Sequence, residues 1–171
     1  MQHEINNKLN LTQVGMLKDL VGKTLNSIFV DEAGEFALSI VLDVEDKYII
    51  LKNIPSLQSD EDEYPCLVVE RTNVNVKDYK QIDIGQNINK INIIGDKASW
   101  QYNNNKWFVE SDIAIKICMK ELELLLIAYD SLAGFLKIIS TKELLSNNVF
   151  EEYWSMKSEK LDFLQRNEMS I

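Results

Sequence analysis

Val21-Gly22-Lys23-Thr24-Leu25-Asn26-Ser27-Ile28-Phe29-Val30 returns further along the chain as Ile84-Gly85-Gln86-Asn87-Ile88-Asn89-Lys90-Ile91-Asn92-Ile93, with three identities and three apolar matches in ten positions. The correspondence extends outward. Leu38-x-Ile40-x-Leu42 matches Ile113-x-Ile115-x-Ile117, and Tyr48-Ile49-Ile50-Leu51 matches Glu123-Leu124-Leu125-Leu126. An insertion holding Trp100 to Lys106 accounts for the offset. These segments alternate or run apolar over strand lengths, too short for helices. They predict two similar strand units, over about 9–80 and 81–140, with chance likeness between strand-rich segments as the competing explanation. The repeat is too long and too few in copies for a solenoid.

Around this frame the period changes. Leu11, Val14, Leu17, Leu20 and Val21 recur at helical spacing between Leu9 and Val21, with Asn10 or Thr12 to cap the helix and Gly22 to stop it. Strands are expected over Leu25–Val30, Phe36–Val44 and Tyr48–Ile54, the last two joined by a turn at Glu45-Asp46-Lys47. Val41 and Val44 interrupt clean alternation, so both faces of that strand should be partly covered. After Pro55 a polar loop, Ser56 to Glu63, leads to another strand over Tyr64–Arg71.

In the tail, Thr141 to Leu145 begins helically, and Asn147-Asn148 can cap a second segment. Val149, Phe150, Tyr153, Trp154, Leu161 and Leu164 form a stripe at helical spacing. Helices are therefore expected within 141–166, packed on the sheet. The class is α+β: a predominantly antiparallel sheet built from two similar strand units, with a short N-terminal helix and C-terminal helices.

Length and composition fit one domain over 1–171. At 46% apolar and 26% charged, the chain can bury a core without a disulfide or metal staple. Cys66 and Cys118 lie in apolar runs, where a thiol acts as a small buried hydrophobe. No secretory apolar region follows the first residues, and no run nears the roughly 20 apolar residues that span a bilayer. The expected location is the cytoplasm. With 27 acidic against 18 basic side chains the net charge is −9, which repels nucleic-acid phosphates and anionic membranes and attracts a cationic partner.

The usual routes to catalysis are thin. The one histidine, His3, sits beside a terminus expected to fray, which argues against a nucleophile-base pair. No phosphate-cradling glycine loop and no zinc-like cysteine spacing occurs, so neither enzyme activity nor a cofactor or metal is expected. Asp60-Glu61-Asp62-Glu63 is the densest carboxylate group. Without a glycine turn or alternating ligand spacing it makes a poor calcium cage, and reads as a solvated loop or a docking patch for basic side chains.

Ser99 to Phe108 reads as a hairpin, because Asn103, Asn104 and Asn105 tolerate positive φ, with Trp100 and Trp107 on its arms. Exposed, the two indoles and Tyr102 would be interface anchors; buried, the indoles would be a cross-strand core pair, which is the expected outcome. Base stacking is opposed by the scarcity of cations there, Lys97 and Lys106 alone. An alternative reading is a metal-dependent enzyme or small-ligand protein with a pocket between the halves, using Glu110, Asp112 or Asp130. Asp130 sits in Tyr129-Asp130-Ser131-Leu132-Ala133-Gly134, where an aspartate more often shapes a turn. A structural subunit that pairs an open edge strand with its own copy is a further alternative.

Leu20-Val21-Gly22-Lys23-Thr24-Leu25-Asn26-Ser27-Ile28, the paired strands from Leu38 to Leu51 and Glu63-Tyr64-Pro65-Cys66-Leu67 resemble, over the first 70 or so residues, the strand-led immunity proteins of bacterial polymorphic toxins, including those of contact-dependent inhibition. The resemblance implies a cytoplasmic protein that binds one cognate toxin domain, often a nuclease, and blocks its active site or substrate entry. The contact residues expected on that basis are Asp60, Glu61, Asp62 and Glu63 for electrostatic steering, with Trp100, Tyr102 and Trp107 as anchors.

Overall fold

The computed structural model describes residues 1–45, 47–58, 60–130, 134–140, 154, 158 and 160–171, with the side chain of Asp130 left aside. The helix expected from Thr141 and the stripe residues Val149, Phe150 and Tyr153 lie outside the described residues.

The elements in chain order are β1 (Gln2–Asn7), α1 (Leu11–Lys18), β2 (Thr24–Ala33), β3 (Phe36–Val44), β4 (Lys47–Asn53), β5 (Ser56–Leu57), β6 (Glu63–Tyr64), β7 (Leu67–Thr72), β8 (Lys80–Asn87), β9 (Lys90–Tyr102), β10 (Asn105–Cys118), β11 (Glu123–Asp130), β12 (Phe135–Ser140) and β13 (Phe163–Ser170). Among the described residues the chain is mostly antiparallel sheet with one short helix. Asn10 caps that helix as expected: its side chain accepts from the Gln13 amide at 2.9 Å while the Gln13 side chain accepts from the Asn10 amide at 3.0 Å.

Eleven of the described strands share one sheet, along the path β13-β9-β10-β11-β12-β3-β2-β8. β4 lies on β3 with β7 beyond it, and β1 runs parallel to β10. Within each set of strands the apolar positions lie opposite one another. Ile28 faces Leu42 and Val30 faces Ile40, while Ile91 faces Ile117 and Ile93 faces Ile115. Across the next ladder Ile40 opposes Leu51 and Leu42 opposes Ile49, while Ile115 opposes Leu126 and Ile117 opposes Leu124. All these side chains join Leu17 and Leu20 from the helical region in the main core, where a fully buried aliphatic contributes about 1.5–3 kcal/mol.

β8 hydrogen-bonds to β2, so Lys80–Asn87 pairs with the first set of strands although most of it lies past the boundary expected at residue 81. The ladder between the two sets is slight, the single pair Leu136 and Ala37, while their side chains share the main core. A second core lies on the other face of β9, β10 and β11, where Ile94, Ala114, Leu125, Ile127 and Ile139 gather with Trp100 and Trp154.

Four expectations need correction. Residues 2–7 do not fray: β1 alternates exposed and buried positions, with His3, Ile5 and Asn7 inward against β10. The helical stripe does not run to residue 166, because Phe163–Ser170 is β13 on the otherwise open edge of β9, where backbone pairing satisfies both strands. The strand expected over Tyr64–Arg71 is broken at Pro65 and Cys66, since proline supplies no amide to a ladder. Cys66 and Cys118 are free and only half-buried.

β10 bulges between Asp112 and Ala114, and there the Asp112 carboxylate accepts the Leu9 amide at 2.8 Å, fastening the β1–α1 connection to the sheet. Burial pushes the Asp112 carboxyl up, only partly offset by the Leu9 amide. Asp112→Asn keeps an acceptor without a buried charge, so it should leave the melting temperature unchanged or raise it. Asp112→Ala strands the Leu9 amide and should cost about 1–3 kcal/mol in urea unfolding. Equal losses in both variants would show that the charge itself is what matters.

β13 is held by side chains as well as by its ladder. Glu168 accepts from Lys116 and Asn92. The Lys116 hydrogen bond holds Glu168 below its ordinary range, and the same bond raises Lys116. For the depressed glutamate, stabilisation is present above its unfolded pKa and lost as pH falls through the folded value; for the raised lysine it is present below its unfolded pKa and lost as pH rises through the folded one. Hydrogen exchange at β13 should therefore be slowest, relative to the core, across the neutral range and accelerate at both extremes. Uniform protection down to pH 3 would contradict this.

Candidate functional site

The acidic loop is the tip of a small ribbon. β5 pairs with β6 through Ser56–Tyr64 and Leu57–Glu63, and the turn between them is closed by Gln58 donating to the Asp62 carbonyl and Glu61 donating to the Gln58 carbonyl. Glu61 sits at φ +63. The ribbon is tied down by Asn7, whose side-chain amide donates to Ser56 Oγ at 2.8 Å and to the Pro65 carbonyl at 3.0 Å. Ser111 Oγ donates to the same carbonyl.

The hairpin forms as its asparagines suggest: Asn103 and Asn104 take φ +46 and +65, and Tyr102 faces Asn105 across the two-residue turn. Two residues further along the ladder Trp100 faces Trp107, their rings stacked at 5.8 Å and 7°. Trp100 is 5% exposed, touching Tyr64 at 6.5 Å and Trp154 at 6.4 Å between ring centroids. It belongs to the core and cannot be a direct anchor. Trp107 is half-buried, with the His3 ring stacked at 5.0 Å on it. Tyr102 is 66% exposed at the tip.

Loop and hairpin, remote in sequence, are joined by one carboxylate. Asp60 Oδ2 accepts from Trp107 Nε1 at 2.7 Å and from Tyr64 Oη at 2.7 Å, and Asp60 Oδ1 accepts from the Asp62 amide at 3.2 Å. Burial would raise the Asp60 carboxyl, but the hydrogen bonds from Tyr64, Trp107 and the Asp62 amide together outweigh it and hold the group below the ordinary range. Burial first, and then the bond to Asp60, push the Tyr64 hydroxyl far up, so it stays a donor. Asp60 is thus a fastening. Of its neighbours Glu61 is exposed, while Asp62, whose Oδ1 accepts the Glu63 amide at 2.8 Å, and Glu63 are half-buried.

The other carboxylates are differently engaged. Glu110 receives Lys97 at 2.7 Å and Lys8 at 3.7 Å, and Asp112 holds Leu9; the Asp130 side chain lies outside the described residues. Among the described residues no group of three or more His, Cys, Asp or Glu side chains is disposed to hold a metal ion.

Two features escape sequence reasoning. His3 is buried against Trp107, signalled only by the alternation of His3, Ile5 and Asn7, whose polar members hide the pattern. Asp96, whose side chain is fully buried, accepts two bonds from Arg166 at 2.8 and 2.7 Å and one from Trp154 Nε1 at 2.6 Å. No local signal marks that trio, because its members lie on different segments.

Among the described residues no helix is long and apolar enough to cross a membrane. No protein-family model, curated protein or solved structure matches this chain.

Proposed function

We propose that this chain is an immunity-type protein, which binds a basic toxin domain, one that acts on nucleic acid, in the cytoplasm and blocks its active site or substrate entry. The observation that carries this reading is the Trp107–Asp60 bond, which sets the acidic ribbon and the aromatic hairpin side by side. Glu61, Asp62 and Glu63 supply negative potential there, and Tyr102 an exposed aromatic. Because Asp60, Tyr64, Trp107 and His3 brace the two loops, little ordering entropy is lost on docking. With a net charge of −9, steering of a basic partner can lift association to about 10⁸–10⁹ M⁻¹s⁻¹ at low salt. The protein acts by binding and carries out no reaction.

In the same reading the scaffold is a duplicated strand unit. The matched residues occupy equivalent places in the β2-β3-β4 and β9-β10-β11 ladders, and Gly22 and Gly85, aligned in the repeat, both take positive φ.

The experiment is rescue. The C-terminal domain of the protein encoded immediately upstream is expressed under tight control, with and without this chain. Restored growth, with a complex of the two purified proteins, is the expected result. An upstream gene without a toxic domain, or toxicity unaffected by this chain, would sink the proposal.

One observation favours a small ligand instead. A cleft of about 520 Å³ opens where β12 and β3 diverge, lined by Ile28, Val30, Ile82, Leu124, Leu136 and Ile138 among others, and its volume suits an organic molecule. Neither Glu110 nor Asp112 lines it. Titration with Mg²⁺, Mn²⁺ and Zn²⁺ should leave the melting temperature unmoved under the immunity reading, whereas a ligand at 100 times its Kd adds about 2.7 kcal/mol.

A further inference from the structure

Among the described residues the sheet path ends at β13, which pairs only with β9. We propose that this edge is where two copies of the chain join, β13 antiparallel to β13 across a two-fold axis normal to the sheet, making one continuous sheet.

An open strand edge invites pairing unless it is short, bulged, interrupted by proline or guarded by free charge. β8 is guarded by its backbone: Gly85 takes φ +63 and the ladder to β2 shifts register between Leu25 and Ser27, while its Lys80 and Asp83 are engaged by Glu32 and by Ser27 and Gln81. β13 has none of these protections. Its eight residues contain no proline, and its pairing is unbroken from Phe163–Ser99 to Ser170–Asn92. Both of its charged side chains are occupied within the molecule, Arg166 by Asp96 and Glu168 by Lys116 and Asn92. Instead it shows water Phe163 at 49%, Leu164 at 46% and Met169 at 52% exposure.

The edge is also complementary to itself. Ile171 donates its amide to Ile91, and strand alternation sends the backbone groups of Met169, Asn167 and Gln165 the same way. Those of Leu164, Arg166, Glu168 and Ser170 face outward. A two-fold axis through Arg166 makes Leu164 and Glu168 of the second copy a hydrogen-bonded pair. It also sets Phe163 opposite Met169 of the second copy, twice, in the closer non-hydrogen-bonded positions on one face. A thioether against an aromatic ring is a favourable contact. The two large apolar groups that a single copy exposes on that face thereby cover each other. The facing guanidiniums of the two Arg166 residues are each neutralised by Asp96. Two molecules of charge −9 repel at long range, but with a Debye length of about 8 Å at physiological salt this is largely screened. Dimerisation should therefore strengthen with salt, opposite to the steered association with a basic partner.

Sedimentation velocity of the full chain across protein and salt concentrations reads the dimer directly. Met169→Lys, at an exposed position, should weaken it about tenfold or more, because two cross-strand pairs are lost at once. In a Cys66→Ser/Cys118→Ser background, Phe163→Cys with Met169→Cys should give an oxidised, disulfide-linked dimer, while Gln165→Cys with Met169→Cys should not. A chain that stays monomeric under every condition overturns the proposal, as does a dimer indifferent to Met169→Lys. Cross-linking through positions 165 and 169 in place of 163 and 169 overturns the register.

Discussion

Arg166→Ala is expected to destabilise the chain by about 3–5 kcal/mol, a large share of the 5–15 kcal/mol that holds a typical domain together. The Asp96 side chain has no solvent exposure, and Arg166 supplies two of the hydrogen bonds that make its burial tolerable. Removing the guanidinium leaves an uncompensated buried charge, the costliest way to break an ion pair. It also frees β13, because Arg166 is the side chain through which the strand grips the second core. Urea unfolding measures the loss, with near-ultraviolet circular dichroism reporting the environment of Trp154. Because the single variant can fail to fold, Asp96→Asn combined with Arg166→Met is the companion: it removes both charges and should recover most of the stability. If Arg166→Ala costs less than about 1 kcal/mol, the trio is not the fastening described.

Neutralising the ribbon tip by Glu61→Gln, Asp62→Asn and Glu63→Gln together is expected to slow association with the cognate toxin domain by about tenfold or more at low salt, and to flatten the dependence of that rate on ionic strength. Asp60 is deliberately spared. Its carboxylate holds Trp107 and Tyr64, so replacing it would confound steering with loss of the brace. The amide at position 62 can still accept the Glu63 backbone amide that Asp62 Oδ1 now receives at 2.8 Å. Stability should stay within about 0.5 kcal/mol, as for other surface changes. Stopped-flow association at several salt concentrations makes the measurement. An unchanged rate with an unchanged salt slope would take the ribbon out of the encounter surface.

The contrast between these two experiments follows what could be read in advance. The acidic ribbon announces itself as four consecutive carboxylates. The Asp96 fastening does not, since an aspartate after Gly95, a tryptophan in an apolar stripe and an arginine in a polar tail each have ordinary local readings. For β13 the stripe through Leu161 and Leu164 suggested a helix, but a few apolar residues also fit an edge strand that is mostly exposed and turns one polar side chain, Arg166, inward. Helical spacing carries no information about whether an unpaired neighbour such as β9 is waiting. β1 failed for the same reason: inward His3 and Asn7 look like solvent-facing residues until Trp107, Ser56 and Pro65 are set beside them.

By itself the sequence determined what depends on neighbours along the chain. It offered Asn10 or Thr12 as the cap of α1, and it placed the strands from Phe36 to Asn53 and the asparagine turn that sets Trp100 against Trp107. These follow from side-chain period, backbone tolerance and turn chemistry, all local. Tertiary structure alone decided which strands close the sheet, that Asp60 reaches Trp107, and that Asp96 is satisfied by Arg166 and Trp154. A hydrogen bond between distant residues pays its loop-closure entropy only after the apolar core has brought the segments together, so nothing short-range in the chain records it.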